Sequence, residues 1–320
     1  MSEYNSREYK RRLRRYERKK ALVAYSFIAP NFIGFAVFTL LPVLLSIFLS
    51  FVKWKGGDFS TMQWVGLGNY AEIFKTAKVA EKGIGYLFTK VDLGIALKNT
   101  LFYTLVTVPM TLVCAVALAL ALNKAVKGAV GFRTVFFFPY VASMVAICVC
   151  WRFMMMKDGP INQLLMAVGI PFNKSWTADS GMAIWSIILV SVWRNMGYYM
   201  VIYLAALQGV PTDLYEAATM DGANKWQQFL HVTLPQLRPT TFFASTMMII
   251  SCFKIYDVVE IMTDGGEPGR STKMLVTYIY NEAFKNFNYG IASAIAMVLL
   301  VIVLAFTLAQ FSMEDKYDNK

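Results

Sequence analysis

The stretch Pro211-Thr-Asp-Leu-Tyr-Glu-Ala-Ala-Thr-Met-Asp-Gly-Ala-Asn-Lys-Trp-Gln-Gln-Phe-Leu-His-Val-Thr-Leu-Pro235 decides how the rest of the chain is read. It is a polar island between long apolar blocks, and it reads as two short helices with a break. Thr212 is expected to cap the first helix, with Asp213 and Glu216 where a helix N-terminus favours negative charge. Gly222 is expected to end that helix in the left-handed conformation. Asn224 is expected to cap the second helix and Pro235 to end it. Apolar side chains lie on both halves, so the unit is expected to pack against something.

The blocks on either side name the solvent. Of 320 residues 57% are hydrophobic and 16% charged, too apolar for an ordinary soluble domain. A span needs roughly 20 apolar residues. Six segments qualify, at about 21–52, 101–122, 136–156, 183–207, 241–262 and 289–311. The fold class is therefore all-α: a polytopic membrane protein with six transmembrane helices. Residues 1–20 form a basic N-terminus, partly disordered or lying along the membrane surface. Residues 21–313 form the transmembrane domain with its loop at 208–240, and 314–320 form a tail. In the first span no residue from Ala21 to Val52 is charged, and Pro30, Gly34 and Pro42 are possible bend points. The connection at 53–98 has room for short helices. The segment at 157–182 reads as turns and a short helix, and 263–288 as a polar loop.

Charge orients the chain. Nine of the 31 basic residues lie between Arg7 and Lys20 and abut the first span at once. Such a run suits a cytoplasmic anchor better than a nucleic-acid surface. Both termini, the loop carrying Lys124, Lys127 and Arg133, and the 208–240 stretch then fall on the cytoplasmic side.

Polar residues at membrane depth are few. Arg194, Asn195, Tyr198 and Tyr199 fall in the fourth span; Lys254, Tyr256 and Asp257 fall in the fifth. Charge there is costly, about 2.5–3.5 kcal/mol on insertion scales, so it faces a wet cavity or a partner. Two readings stand. These residues line a passage for a polar, uncharged solute, or Arg194–Asp257 or Lys254–Asp257 is a structural ion pair. Arg152 and Lys157 are expected to snorkel to the interface. Within the six spans only Asp257 and Glu260 are acidic, so no spread proton relay is visible. The four cysteines lie in apolar segments without metal or redox spacing. His231 stands alone, which suits a surface or packing role. No nucleophile elbow, zinc motif or phosphate loop is present, which argues against ATP hydrolysis by this chain.

Glu216-Ala217-Ala218, Asp221-Gly222-Ala223, Phe229 and Leu234-Pro235 resemble the EAA loop of ABC importer permeases. The carbohydrate-uptake branch, the maltose- and glycerol-phosphate-type permeases, is similar over nearly the whole chain. Phe138-Pro139, Trp193 with Gly197, the run Leu204 to Gln208, the run Thr263 to Gly266, and Tyr289-Gly290 with Ala292-Ser293-Ala294 carry that likeness. Glu267 before Pro268 departs from the usual Gly-Gly-Pro, which leaves the outer loop's local shape open. The connection at 53–98 is too short for the extra domain of the maltose-type subunit.

The resemblance implies that the two-helix unit is a cytoplasmic coupling helix seated in the cleft of an ATPase subunit. It implies a second homologous permease subunit, two ATP-binding subunits that use ATP and Mg, and an extracytoplasmic solute-binding protein. The chain itself would bind no cofactor, no metal and no nucleic acid, and would sit among lipid in a bacterial or archaeal cytoplasmic membrane. The implied cargo is a sugar or oligosaccharide. An ion- or proton-coupled secondary carrier, or a permease for another solute such as a glycerophosphate, is the alternative.

Overall fold

The uncharged block from Ala21 folds as helix, because in lipid every backbone polar group must be satisfied within its own segment. The computed structural model describes residues 2–123 and 128–318. Lys124 and Lys127, two of the expected cytoplasmic charges, lie outside them. α1 (Ser2–Phe35), a π-helical turn (Ala36–Leu40) and α2 (Leu41–Ser50) form one continuous rod. Pro30 lies inside it, and the π turn ends just before Pro42. The expected bend points do not break it. The basic N-terminus, expected partly disordered or along the surface, is helical from Ser2, because nothing interrupts the helical run before Ala21.

A two-stranded hairpin follows: β1 (Val52–Lys53) pairs antiparallel with β2 (Gln63–Trp64). Short helices α3 (Gly68–Phe74), α4 (Thr76–Lys82) and α5 (Ile84–Lys90) fill the connection. Asn69 Nδ2 donates to the carbonyls of Ser50 and Val52 at 2.9 and 3.0 Å, tying α3 to the end of the first span. α6 (Asp92–Asn123) starts nine residues before the expected 101, and its Asp92 pairs with Arg270 and Lys273 at 3.1 and 3.2 Å.

The third span departs most from expectation. It begins earlier, as α7 (Ala129–Val141), and turns by 96° into α8 (Met144–Met154). Ala142 and Ser143 are extended at the break, with ψ of 152° and 124°. α9 (Pro160–Ala167) is the short helix expected in the next loop. α10 (Ala183–Gln208) is the fourth span, about 39 Å long at 1.5 Å per residue.

The 208–240 stretch carries α11 (Thr212–Met220), α12 (Lys225–Gln228), a π turn (Phe229–Thr233) and α13 (Leu234–Gln236). The fifth span is also broken. α14 (Arg238–Phe253) bends by 48° into α15 (Asp257–Thr263) across Lys254–Tyr256. The expected polar loop contains α16 (Leu275–Tyr280) and a π turn (Asn281–Lys285). α17 (Tyr289–Asp318) runs through most of the expected tail. Among the described residues, four helices are long and apolar enough to cross a membrane, and six spans result if each bent pair counts as one.

The main core lies between α6, α8, α10, α14 and α15, around the fully buried Ile187, Met200 and Tyr203. Ala115 and Ala119 on α6 are fully buried, as small residues are where membrane helices approach closely. Gly197 marks a closer approach: a Cβ there would fall on the backbone carbonyl of Phe136 in α7. A smaller core joins α3, α6, α16 and α17 through Leu93, Ala96, Leu275 and Ile295.

Candidate functional site

Two sites emerge: a hairpin at one end of the bundle and a polar cavity within it. The hairpin is built from local chemistry. Pro211, not Thr212, occupies the N-cap of α11, and Thr212 is its first helical residue with no capping bond. Proline pre-sets its own backbone, and the residue before a helix needs extended geometry, so Pro211 takes that place. Asp213 stands in the first turn. Gly222 has φ of +80°. Its N–H donates to Thr219 O at 3.0 Å and that of Ala223 to Ala218 O at 2.9 Å, which closes the helix end as a Schellman motif. Asn224 Oδ1 then accepts from the N–H groups of Trp226 and Gln227, while Gln227 Oε1 accepts from Asn224 N–H at 2.8 Å. This reciprocal capping box starts α12.

Pro235 does not end the second helix. The π turn before it widens the coil, with Leu234 N–H donating to Phe229 O, so the chain passes the missing donor of Pro235 and continues. The two arms are locked by Tyr215 Oη and Thr233 Oγ1, 3.0 Å apart, and by Gln228 Nε2 donating to Thr219 Oγ1 at 3.0 Å. A groove of about 500 Å³ lies between the arms. Of the expected coupling residues, Ala217, Ala218, Asp221, Gly222 and Ala223 line it; Glu216, Phe229, Leu234 and Pro235 do not. Leu214, Gln227, Gln228, His231 and Val232 line it too and went unassigned. The signal for Leu214 was present, since it precedes Ala217 and Ala218 by three and four residues on one face. Met220 is 89% and Trp226 67% exposed at the tip.

The cavity holds about 230 Å³. Both span breaks open onto it: Tyr140 and Met144 flank the first break, and Lys254, Tyr256 and Asp257 form the second. Irregular backbone at membrane depth is tolerated where it lines a cavity. Arg194, Asn195 and Tyr199 reach it from α10, with Ser191 one turn earlier. Arg194 Nη2 donates to Tyr140 O at 3.1 Å, and its guanidinium lies 5.1 Å from the Tyr140 ring centroid. Arg194 Nε and Ser191 Oγ are buried without a hydrogen-bond partner among the described residues. Asn195 Nδ2 donates to Ser191 O at 2.7 Å.

Tyr198 does not line the cavity. It stacks behind Tyr140 with ring centroids 4.3 Å apart. Neither expected ion pair forms: among the described residues, Asp257 has no basic partner within the 4.0 Å of an ion pair. Arg152 reaches an exposed partner at the end of α8. It binds Asp264 through both terminal nitrogens at 2.9 and 2.8 Å and Ile261 O at 2.7 Å, which anchors α15 to α8. Tyr103, Tyr140, Ser191 and Ser251 are cavity residues that sequence reasoning missed. Ser191 was legible from its helical spacing to Arg194 and Asn195; the others depend on the breaks.

The outer loop keeps an ordered turn despite Glu267. Glu267 Oε2 accepts from Gly269 N–H at 2.9 Å, Thr272 Oγ1 donates to Glu267 O at 2.9 Å, and the Glu267–Pro268 peptide is cis. No cluster of three or more metal-ligating side chains exists among the described residues.

A family profile described as binding-protein-dependent transport system inner membrane component matches residues 99–317. The chain belongs to that family. This permease is 38% identical over 296 residues to the probable ABC transporter permease protein YesP of Bacillus subtilis (strain 168), covering 92% of this chain and 91% of that one. It is 34% identical over 286 residues to the lactose transport system permease protein LacF of Rhizobium radiobacter, covering 88% and 90%. Its fold matches a crystal structure of a bacterial ABC transporter involved in the import of the acidic polysaccharide alginate, with a TM-score of 0.77 at 22% identity, over 95% of this chain and 99% of that one. The permease is thus an inner-membrane transport component of a binding-protein-dependent ABC system.

Proposed function

We propose that this permease passes a sugar or oligosaccharide across the cytoplasmic membrane, driven by ATPase subunits that grip the hairpin. The observation that carries the cargo class is the cavity. It combines tyrosine rings, an amide and hydroxyls with Arg194 Nε and Ser191 Oγ, which have no partner among the described residues. Aromatic faces suit the apolar faces of sugar rings, and unpaired polar atoms suit hydroxyls. The lactose transport relative supports the same class.

The hairpin supports the coupling. Its arms are locked by side-chain hydrogen bonds, so a push at the tip moves the unit as one piece into α10 and α14. The assembly pairs this chain with a second related permease subunit, two ATPase subunits using ATP and Mg, and an extracytoplasmic binding protein. Both termini then face the cytoplasm. Glu216, Phe229, Leu234 and Pro235 lie outside the groove. Phe229 and Leu234 shape the unit through the bond from Leu234 N–H to Phe229 O.

Gly222→Asp tests the coupling. At φ of +80° a side chain strains the turn, and a carboxylate projects at the tip. The expected outcome is an inserted, complex-forming subunit with saccharide uptake reduced at least about tenfold, read in proteoliposomes with radiolabelled saccharides. Uptake at the wild-type rate removes the coupling role from the turn.

A further inference from the structure

Tyr256 lines the cavity, and two more rings continue from it at the end opposite the hairpin. Tyr280 lies 4.8 Å from Tyr256, and Phe284 lies 5.1 Å from Tyr280, by ring centroids. Tyr280 ends α16, and Phe284 stands four residues on in the π turn Asn281–Lys285. That spacing puts both rings on one face, and π turns recur at functional sites. Phe284 is 62% exposed.

The polar groups beside this row are unevenly satisfied. Lys285 Nζ donates to Glu260 Oε1 at 3.0 Å and lies 5.7 Å from the Tyr280 ring centroid. The other oxygen, Glu260 Oε2, is buried and has no partner among the described residues. A buried carboxylate oxygen without a donor is costly, by more than an unpaired neutral group.

We propose that Tyr256, Tyr280 and Phe284 form a binding step for a neutral saccharide chain at the mouth of the cavity, with Glu260 Oε2 accepting a hydroxyl. The proposal rests on the saccharide reading and extends it to chain length. Size supports it, because the cavity of 230 Å³ falls below the roughly 300–1,000 Å³ of ordinary ligand pockets. A chain longer than the cavity encloses needs contacts beyond it. Charge supports it as well. A carboxylate beside aromatic faces would attract a cation, but Lys285 already takes both places, and the ion pair leaves no net charge for an anion. What remains is an acceptor unpaired among the described residues and an apolar ring face, the two features a neutral sugar unit uses.

The test uses the assembled transporter in proteoliposomes with its solute-binding protein. The probes are malto-, arabino- and galacto-saccharides from monomer to pentamer, each at saturating loaded binding protein. Phe284→Ala and Tyr280→Ala are expected to lower uptake of trimers and longer chains about tenfold relative to the monomer of the same series. Tyr280→Phe, which keeps the ring, is expected to hold the wild-type ratio. Co-purification with the ATPase subunits establishes assembly of Tyr280→Ala, and the exposed Phe284 is replaced without touching the core. An unchanged length ratio in Phe284→Ala, an equal loss at every length, or wild-type uptake confined to monomers overturns the step and leaves the saccharide reading standing. Failure of the wild-type transporter to take up any saccharide overturns that reading and the step with it.

Discussion

Arg194 is held by one bond and left open on another atom. Its Nη2 is fixed on Tyr140 O, while Nε is buried beside the cavity without a partner among the described residues. A hydrogen bond from a charged donor contributes about 1.5–3 kcal/mol. Arg194→Ala is therefore expected to raise the KM for uptake by about tenfold or more. Tyr198→Ala acts through the neighbouring rings of Tyr140 and Tyr199, 4.3 and 5.1 Å away, so its effect on KM is expected to be smaller. Equal KM values in both variants and wild type, with every saccharide tested, would return Arg194 to a purely structural role. Gly197 makes a separate demand, because any side chain there meets the Phe136 carbonyl. Gly197→Val is expected to destabilise the permease by about 1–3 kcal/mol, visible as a lower melting temperature in detergent. At this scale the sequence was legible where the chemistry is local. Gly222 and Asn224 fill their expected backbone roles because a Schellman end and a capping box need only neighbours. Thr212 failed as a cap because the adjacent Pro211 competes for the same position.

Elements are harder to read than residues. The third and fifth spans look continuous because apolar residues run through their breaks, and hydropathy is an average over the window. Ser143 and Lys254 carry no helix-stopping signal of their own. At the first break Arg194 of α10 bonds the Tyr140 carbonyl, a tertiary contact that a window average does not register. Pro235 erred in the other direction: a strong local stop was overridden by a π turn. The hairpin offers a graded test at this scale. Asn224→Ala removes the acceptor for two backbone N–H groups and is expected to cost about 1 kcal/mol. The arms then loosen without the strain that Gly222→Asp introduces. The expected result is intact assembly, with fewer saccharide molecules taken up per ATP hydrolysed. A stoichiometry equal to wild type would mean that the capping box serves folding alone.

The whole molecule was legible as a membrane bundle from its long uncharged blocks, but its sidedness rests on charge alone. Nine basic residues between Arg7 and Lys20 stand against one membrane face. The helices then carry that assignment to both sites. α10 runs about 39 Å from Ala183 to the hairpin, and α14 with α15 runs back from the hairpin to the loop that holds Phe284. The hairpin tip and Phe284 are therefore expected to face opposite aqueous phases. Four native cysteines lie in the spans, so they are first replaced by serine or alanine in a transport-competent background. Met220→Cys and Phe284→Cys, at residues 89% and 62% exposed, are then labelled in intact cells with a membrane-impermeant maleimide. Cysteine 284 is expected to react from outside, and cysteine 220 only after the membrane is opened. Bound ATPase subunits are expected to slow the reaction at 220 and leave 284 unaffected. Labelling of 220 in intact cells would invert the topology and, with it, remove the hairpin from the reach of any cytoplasmic ATPase.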